Sequence, residues 1–310
     1  MKGTEKTVFF RYLALVVAAF VWGTAFVAQS EGAAFVRPFT FTATRAFMGG
    51  IVLIPVILVM DALKKRKEPD LPKPSKKELK TLFLGGFLCG LVMTFASNLQ
   101  QFGVMYSTVG KSGFITTMYI VLVPVMSLFL KKKSHWIIWI SVVIAVAGLY
   151  FISFSGGFDN IERGDIFLIV CAFCFSIHIL TVDHFVNLVD AIKLSCIQFF
   201  TLGILSAIIA LIFERQYFSW EIMLRCWFPL LYAGVGSCGI AFTLQSVGQK
   251  GTNPTVDSLL MSLESVFSLL AGVIILHEQV TWRMGIGCGL MFLAVVLAQL
   301  KDVLLKKKRF

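Results

Sequence analysis

Apolar blocks of about twenty residues alternate along this chain with short polar connections. A helix rises 1.5 Å per residue, so about twenty residues cross roughly 30 Å of hydrocarbon. The blocks are continuously apolar and do not alternate in the manner of barrel strands. Inside lipid every backbone amide needs an internal partner, which leaves helices. The pattern predicts ten spans, near residues 10–29, 38–60, 80–101, 108–130, 135–154, 164–183, 192–213, 224–246, 253–276 and 282–300. Pro38 opens the second, and Asn253-Pro254 reads as an N-cap followed by proline at the first helical position of the ninth. Trp136, Trp139, Trp220, Trp227 and Trp282 fall near span ends, where an interfacial aromatic belt belongs.

Composition agrees with the pattern. The 310 residues are 57% hydrophobic and only 15% charged, against about 25% charged in soluble domains. The net charge of +11 would suit a nucleic-acid binder, but its distribution points to membrane orientation instead. Ten spans put both termini on one side, which then carries 21 Lys and Arg residues, against six on the other, with Arg45 inside a span. The positive-inside rule places that richer side in the cytoplasm, with position 73 on it and position 157 opposite. Lys2, Lys6 and Arg11 ahead of an apolar stretch resemble a signal peptide, yet no small-residue cleavage site follows, so the stretch reads as an uncleaved first span. Cys171 and Cys174 form a CxxC inside a helical run and read as packing, as do the other five cysteines.

The halves repeat. Shifting by 153 residues pairs Leu15 with Leu168, Phe47 with Phe200 and Gly50 with Gly203. A shift of 145 pairs Ala96 with Ala241, Gln100 with Gln245 and Gly103 with Gly248. Equivalent connections carry opposite charge bias: the lysine-rich 61–80 corresponds to the nearly neutral 214–225, and Lys131 to Lys133 correspond to the region of His277, Glu278 and Gln279. A unit of five spans duplicated in tandem must sit inverted in the membrane, an arrangement found in secondary transporters. The expected fold is an all-α integral membrane protein of ten transmembrane helices in two inverted five-helix repeats, residues 1–155 and 156–310.

Ionisable and polar residues inside spans are the candidate chemistry, because each is costly in lipid unless it faces a cavity or a partner. Arg45 and Glu264 stand out, and their depths suggest an ion pair or charge couple; Lys111 and Asp257 lie closer to span ends. Trp22 sits near mid-span, and Tyr119 carries a hydroxyl that needs a partner when buried. His178 lies mid-span in the sixth helix, where a hydrogen-bonded helix contact or a proton-responsive group both fit. Trp22, Arg45, Tyr119, His178 and Glu264 are the candidate cavity residues, drawn from spans 1, 2, 4, 6 and 9. Gln100 and Gln245, equivalent in the repeat, are gate candidates. No metal site is expected: His178 and His184 are six residues, about 600°, apart around a helix. Gly234-Val235-Gly236-Ser237-Cys238-Gly239 matches GxGxxG, but lies inside an apolar span and so offers small surfaces for helix contact, not a dinucleotide loop. Pro55 and Pro124 should bend their helices.

Several of these residues, in this order and spacing, make the chain resemble the EamA-type ten-helix members of the drug/metabolite transporter superfamily. They are Trp22-Gly23-Thr24, Arg45, the stretch Asn98 to Gly103, Pro124, Leu263-Glu264 and Leu276-His277-Glu278. Lysines stand where the family often closes its fourth span with glycine and glutamate, and Ser265 where proline is common. The resemblance implies an inner- or plasma-membrane carrier of an amino acid, nucleoside or drug-like solute, often an exporter, with no cofactor. No Walker segment is present, so direct ATP coupling within the chain is not expected. A membrane-embedded enzyme would need a nucleophile or metal constellation at depth, and a channel a continuous polar stripe; the spans hold isolated polar positions. Proton or counter-solute coupling and a monomer or homodimer all fit the sequence.

Overall fold

Each apolar block folds into a helix in the computed structural model, which describes residues 2–67, 74–130, 135–153, 163–277 and 281–306. The connections carrying Lys73, Lys131 to Lys133, the 155/156 boundary, Gly157, Glu278 and Gln279 lie outside the described residues. In chain order the first repeat supplies α1 (Lys2–Ala33), α2 (Pro38–Lys67), α3 (Lys76–Met105), α4 in two pieces (α4a, Val109–Thr116; α4b, Tyr119–Phe129) and α5 (Trp136–Ser153). The second supplies α6 (Arg163–Phe185), α7 (Ala191–Phe213), α8 (Trp227–Gly248), α9 in two pieces (α9a, Pro254–Met261; α9b, Glu264–Leu276) and α10 (Trp282–Lys306). Among the described residues eight of these are long and apolar enough to cross a membrane, and two shorter apolar stretches, Trp136–Gly148 and Gly285–Leu297, complete the ten. The protein is an all-α integral membrane protein of two five-helix repeats.

Burial follows the environment that lipid imposes. Large apolar side chains such as Leu58, Phe83, Val143, Leu211, Ile274 and Phe292 face outward, as do Trp136, Trp220, Trp227 and Trp282 near the helix ends. In lipid no hydrophobic force draws helices together, so close packing of small residues must. The contacts between repeats are reciprocal. Phe47 and Phe200 meet with ring centroids 6.4 Å apart, each lying over the other repeat's glycine, Gly203 and Gly50. Gly103 receives Leu168 and Gly248 receives Leu15; a methyl on either glycine would come within 2.4 and 2.7 Å of those leucines. The residues paired by the sequence shifts are therefore the ones that pack across the pseudo-two-fold. Gly234 and Cys238, from the GxGxxG stretch, pack on α2 at Met48 and Gly49, as small surfaces for helix contact. That stretch is wound as a π-helix over Tyr232–Ala241, a form that re-aims side chains within a helix.

Helices α2 and α7 pack on each other across the repeats and are joined at both ends. At one end Lys64 pairs with Asp190 (2.8 Å) and Lys193 with Asp61 (2.7 Å). At the other, Glu214 accepts from Phe39 N, Thr40 N and Thr40 Oγ1, capping α2 from across the repeat, and Arg37 lies over the Tyr217 ring at 4.2 Å.

α4 and α9 are not continuous. Thr108 and Asn253 cap their N-termini, and both helices break at equivalent points, Thr117–Met118 and Ser262–Leu263. The hydroxyls of Thr117, Ser258, Ser262, Ser265 and Ser268 each bond the carbonyl three residues back. Such back-bonding competes with the helical ladder. Pro55 and Pro124 lie inside helical segments and mark neither break.

Candidate functional site

Both breaks fall deep in the bundle. Tyr119 is ten residues from the start of α4 and Glu264 ten residues from the start of α9, so each lies about 15 Å from its own end of the bundle. The two helices run in from opposite ends, and these first residues after the breaks meet: Tyr119 Oη donates to Glu264 Oε2 at 3.2 Å. Tyr119 and Glu264 are 145 residues apart and so equivalent in the repeat. Glycine at position 23 lets α1 approach this turn. A methyl there would lie 2.8 Å from the Glu264 carbonyl oxygen and 2.4 Å from Phe267 Cβ.

Around this contact the helices enclose a small central cavity. Its wall comes from α1 (Trp22, Gln29), α2 (Arg45), α3 (Ser97, Gln100), α4 (Thr116, Tyr119), α6 (Phe175, Ile179), α8 (Ser237, Phe242, Gln245) and α9 (Met261, Glu264). Of the residues singled out from sequence, the structure brings together Trp22, Arg45, Tyr119, Glu264, Gln100 and Gln245. His178 is not on the wall. It is fully buried between α6 and α7, with Nε2 3.1 Å from Gln198 Oε1 and its ring edge-on to Phe175 and Phe242.

Arg45 and Glu264 share the cavity, but no ion pair joins them among the described residues. Glu264 takes Tyr119 as its donor, and the Arg45 guanidinium lies 5.8 Å from the Phe41 ring centre. Sequence depth located both residues at the cavity, but the expected ion pair is not formed: the hydrogen-bond partner of Glu264 is the repeat-equivalent Tyr119. Lys111 and Asp257 are engaged near the helix ends: Lys111 pairs with Asp165 at 2.7 Å, and Asp257 accepts from Thr252 Oγ1.

Spans 3 and 8 also line the cavity, beyond the five helices expected. Phe175, Phe242 and Met261 carried no polar signal, but each is the repeat partner of another wall residue: Trp22, Ser97 and Thr116 respectively. Trp22 packs edge-on against Phe242 with centroids 4.6 Å apart. The wall is thus two-sided: Gln29, Arg45, Ser97, Gln100 and Thr116 toward the end where α3 finishes, and Phe175, Ile179, Phe242 and Met261 toward the other, with Gln245 closing it. Among the described residues no cluster of three His, Cys, Asp or Glu side chains could hold a metal ion.

Ten helices in two repeats enclosing a central polar and aromatic cavity define a membrane transporter architecture, and sequence comparison names the class. The chain matches the EamA-like transporter family over residues 9–154 and 162–300 and belongs to that family, within the drug/metabolite transporter superfamily. It is 29% identical over 290 residues to an uncharacterized transporter of Archaeoglobus fulgidus, covering 93% of this chain and 85% of that one. It is 23% identical over 288 residues to the uncharacterized transporter YoaV of Bacillus subtilis, covering 90% and 94%. A protein crystal structure superposes with a TM-score of 0.74 at 19% identity, over 94% of this chain and 98% of that one, and so shares the fold.

Proposed function

We propose that the protein is a secondary carrier that moves a small metabolite across the plasma membrane by alternating access, as an exporter, with both termini cytoplasmic. The observation that carries this reading is the meeting of two broken, repeat-equivalent helices at mid-depth, where Tyr119 bonds Glu264 beside the cavity. Two inverted units, 1–155 and 156–310, can exchange conformations, so that a cavity on their pseudo-axis opens first to one end and then to the other. The cavity volume is about 30 Å³, room for about two waters. A solute therefore enters only as helices separate. Gln100 and Gln245, one toward each end of the cavity, serve as gates, and Trp22, Arg45, Tyr119 and Glu264 as its binding wall.

Exchange of labelled solute in proteoliposomes without nucleotide, screened across amino acids and nucleosides, tests this. Counterflow in the absence of ATP is the expected result; an absolute need for ATP overturns it. Single cysteines at positions 73 and 157 in a cysteine-free background test the orientation. Position 157 labels from outside intact cells and position 73 only after permeabilisation; the reverse pattern removes the cytoplasmic termini.

A further inference from the structure

Glu264 has a hydrogen-bond partner in the cavity, whereas among the described residues Arg45 has only the face of Phe41. Arg45 is 3% exposed, its Nε has no hydrogen-bond acceptor, and no ion pair reaches its guanidinium among the described residues. An arginine stays charged at any pH a protein survives. A buried charge without a partner is costly, and an incoming anion removes that cost. The planar fork of donors suits a carboxylate, which it can hold with two parallel bonds. Gln29, also on the wall and 3% exposed, has an unpartnered side-chain oxygen on the same polar part of the cavity.

The repeat explains why the charge is one-sided. The residue equivalent to Arg45 is Gln198, which is neutral and engaged with His178. Opposite the polar part stand Trp22, Phe175 and Phe242, with Trp22 and Phe242 in edge contact. A ligand filling both parts has an anionic head and an apolar body. Among the described residues Arg45 is the one cation on this wall and the Glu264 carboxyl takes its hydrogen bond from Tyr119, so the guanidinium can answer a single negative charge; a doubly charged phosphate would bring a second charge with no counterpart.

We infer that the cavity binds monocarboxylates with an apolar or aromatic body, the carboxylate on Arg45 and the body against Trp22, Phe175 and Phe242. This rests on the carrier reading above for the role of the cavity. The test uses the full chain in detergent and three probes of one shape: 3-phenylpropionate, 3-phenylpropionamide and 3-phenylpropylamine. Binding of the acid at least tenfold tighter than that of the amide or amine is expected. In Arg45→Gln the acid weakens at least tenfold while the amide changes less than twofold, and Arg45→Lys falls between. Equal binding of acid and amide, no binding of the acid at millimolar concentration, or full acid affinity in Arg45→Gln each overturns the inference. If Arg45→Gln does not fold, the three-probe comparison on the native chain decides alone. Uptake of labelled 3-phenylpropionate into proteoliposomes separates the two readings. Arg45-dependent binding without uptake upholds the carboxylate site and removes the carrier role; uptake of acid and amide alike keeps the carrier and removes the carboxylate site.

Discussion

The two helices that break at the centre, α4 and α9, share a backbone plan and differ in chemistry. Each is capped at its N-terminus, by Thr108 and Asn253, and each breaks nine residues beyond the cap. At the break one presents Tyr119 and the other Glu264; one turn earlier, one presents Thr116 and the other Met261. The same divergence holds between α3 and α8, where Ser97 answers to Phe242, while Gln100 and Gln245 remain alike. Duplication therefore accounts for the shape of the cavity, and divergence of equivalent residues for its polarity. From one end of the cavity to the other a hydrogen-bonding wall gives way to an aromatic one, around a single acid held at mid-depth.

The largest effect on this comparison is expected at the acid. Glu264→Gln keeps the size of the side chain and replaces its carboxyl with an amide that cannot exchange a proton, and should lower solute turnover at least tenfold in proteoliposomes. Tyr119→Phe removes one hydrogen bond and should cost about 1 kcal/mol of stability. Because the two positions are equivalent, the double exchange Tyr119→Glu with Glu264→Tyr rebuilds the same bond in the opposite sense. It should be more stable than either single exchange by at least ~0.5 kcal/mol in thermal unfolding. A double exchange as unstable as the summed singles would show that the surroundings, not the repeat, fix this contact.

A second, smaller effect tests the backbone half of the comparison. Gly23 corresponds to Ser176, whose hydroxyl bonds the Ala172 carbonyl in a fully buried site. Gly23→Ser places atoms against Glu264 O and Phe267, so it should cost about 1–3 kcal/mol by overpacking. Ser176→Gly, which only loosens its helix, should cost about 1 kcal/mol or less. Denaturation of the two purified variants compares them directly; equal losses would mean that α1 has room to move away from α9.

Spans, repeat and the placing of Arg45, Glu264, Trp22 and Tyr119 beside one cavity were legible because lipid makes polarity conspicuous: an arginine at depth needs a reason. The breaks in α4 and α9 were not read. Prolines drew attention, yet Leu269 stands where Pro124 does in the other repeat and α9 breaks all the same. The shared feature is serine and threonine back-bonding, a weak signal in any one residue that gains force only as the run Ser258, Ser262, Ser265 and Ser268. The aromatic wall was missed for the opposite reason. In an apolar sequence Phe175 and Phe242 look like every other lipid-facing phenylalanine, and only their repeat partners mark them. His178 was open to two readings, a cavity residue or a hydrogen-bonded helix contact, and the structure has the contact, with Gln198; depth alone does not say which way a ring points.

The join of α2 and α7 has two unlike ends, and the smallest effect is expected at the solvent-reached one. Glu214 is 6% exposed and receives two helix N–H groups and a hydroxyl. Glu214→Ala leaves these donors without an acceptor and should cost about 1–3 kcal/mol. Its repeat equivalent, Asp61, is an exposed partner of Lys193, and the neighbouring Asp190–Lys64 pair is also solvent-reached. Such pairs contribute about 0–1 kcal/mol. Burial works to raise the Asp190 carboxyl, but the bond from Lys64 and those from the Lys193 and Ile192 amides outweigh it, so its pKa lies below the ordinary value. A carboxyl depressed by folding contributes stability that is complete above its unfolded pKa, near 3.9, and is lost as pH falls through the lower folded value. Asp190→Asn keeps an oxygen for the two amides and cannot titrate. Native chain and Asp190→Asn should therefore differ by less than about 1 kcal/mol at pH 7, with a gap that closes below about pH 4. Urea titrations of both proteins at pH 7, 5 and 3.5 measure that gap; one that widened as pH fell would mean Asp190 is held above its ordinary pKa and does not latch the two helices.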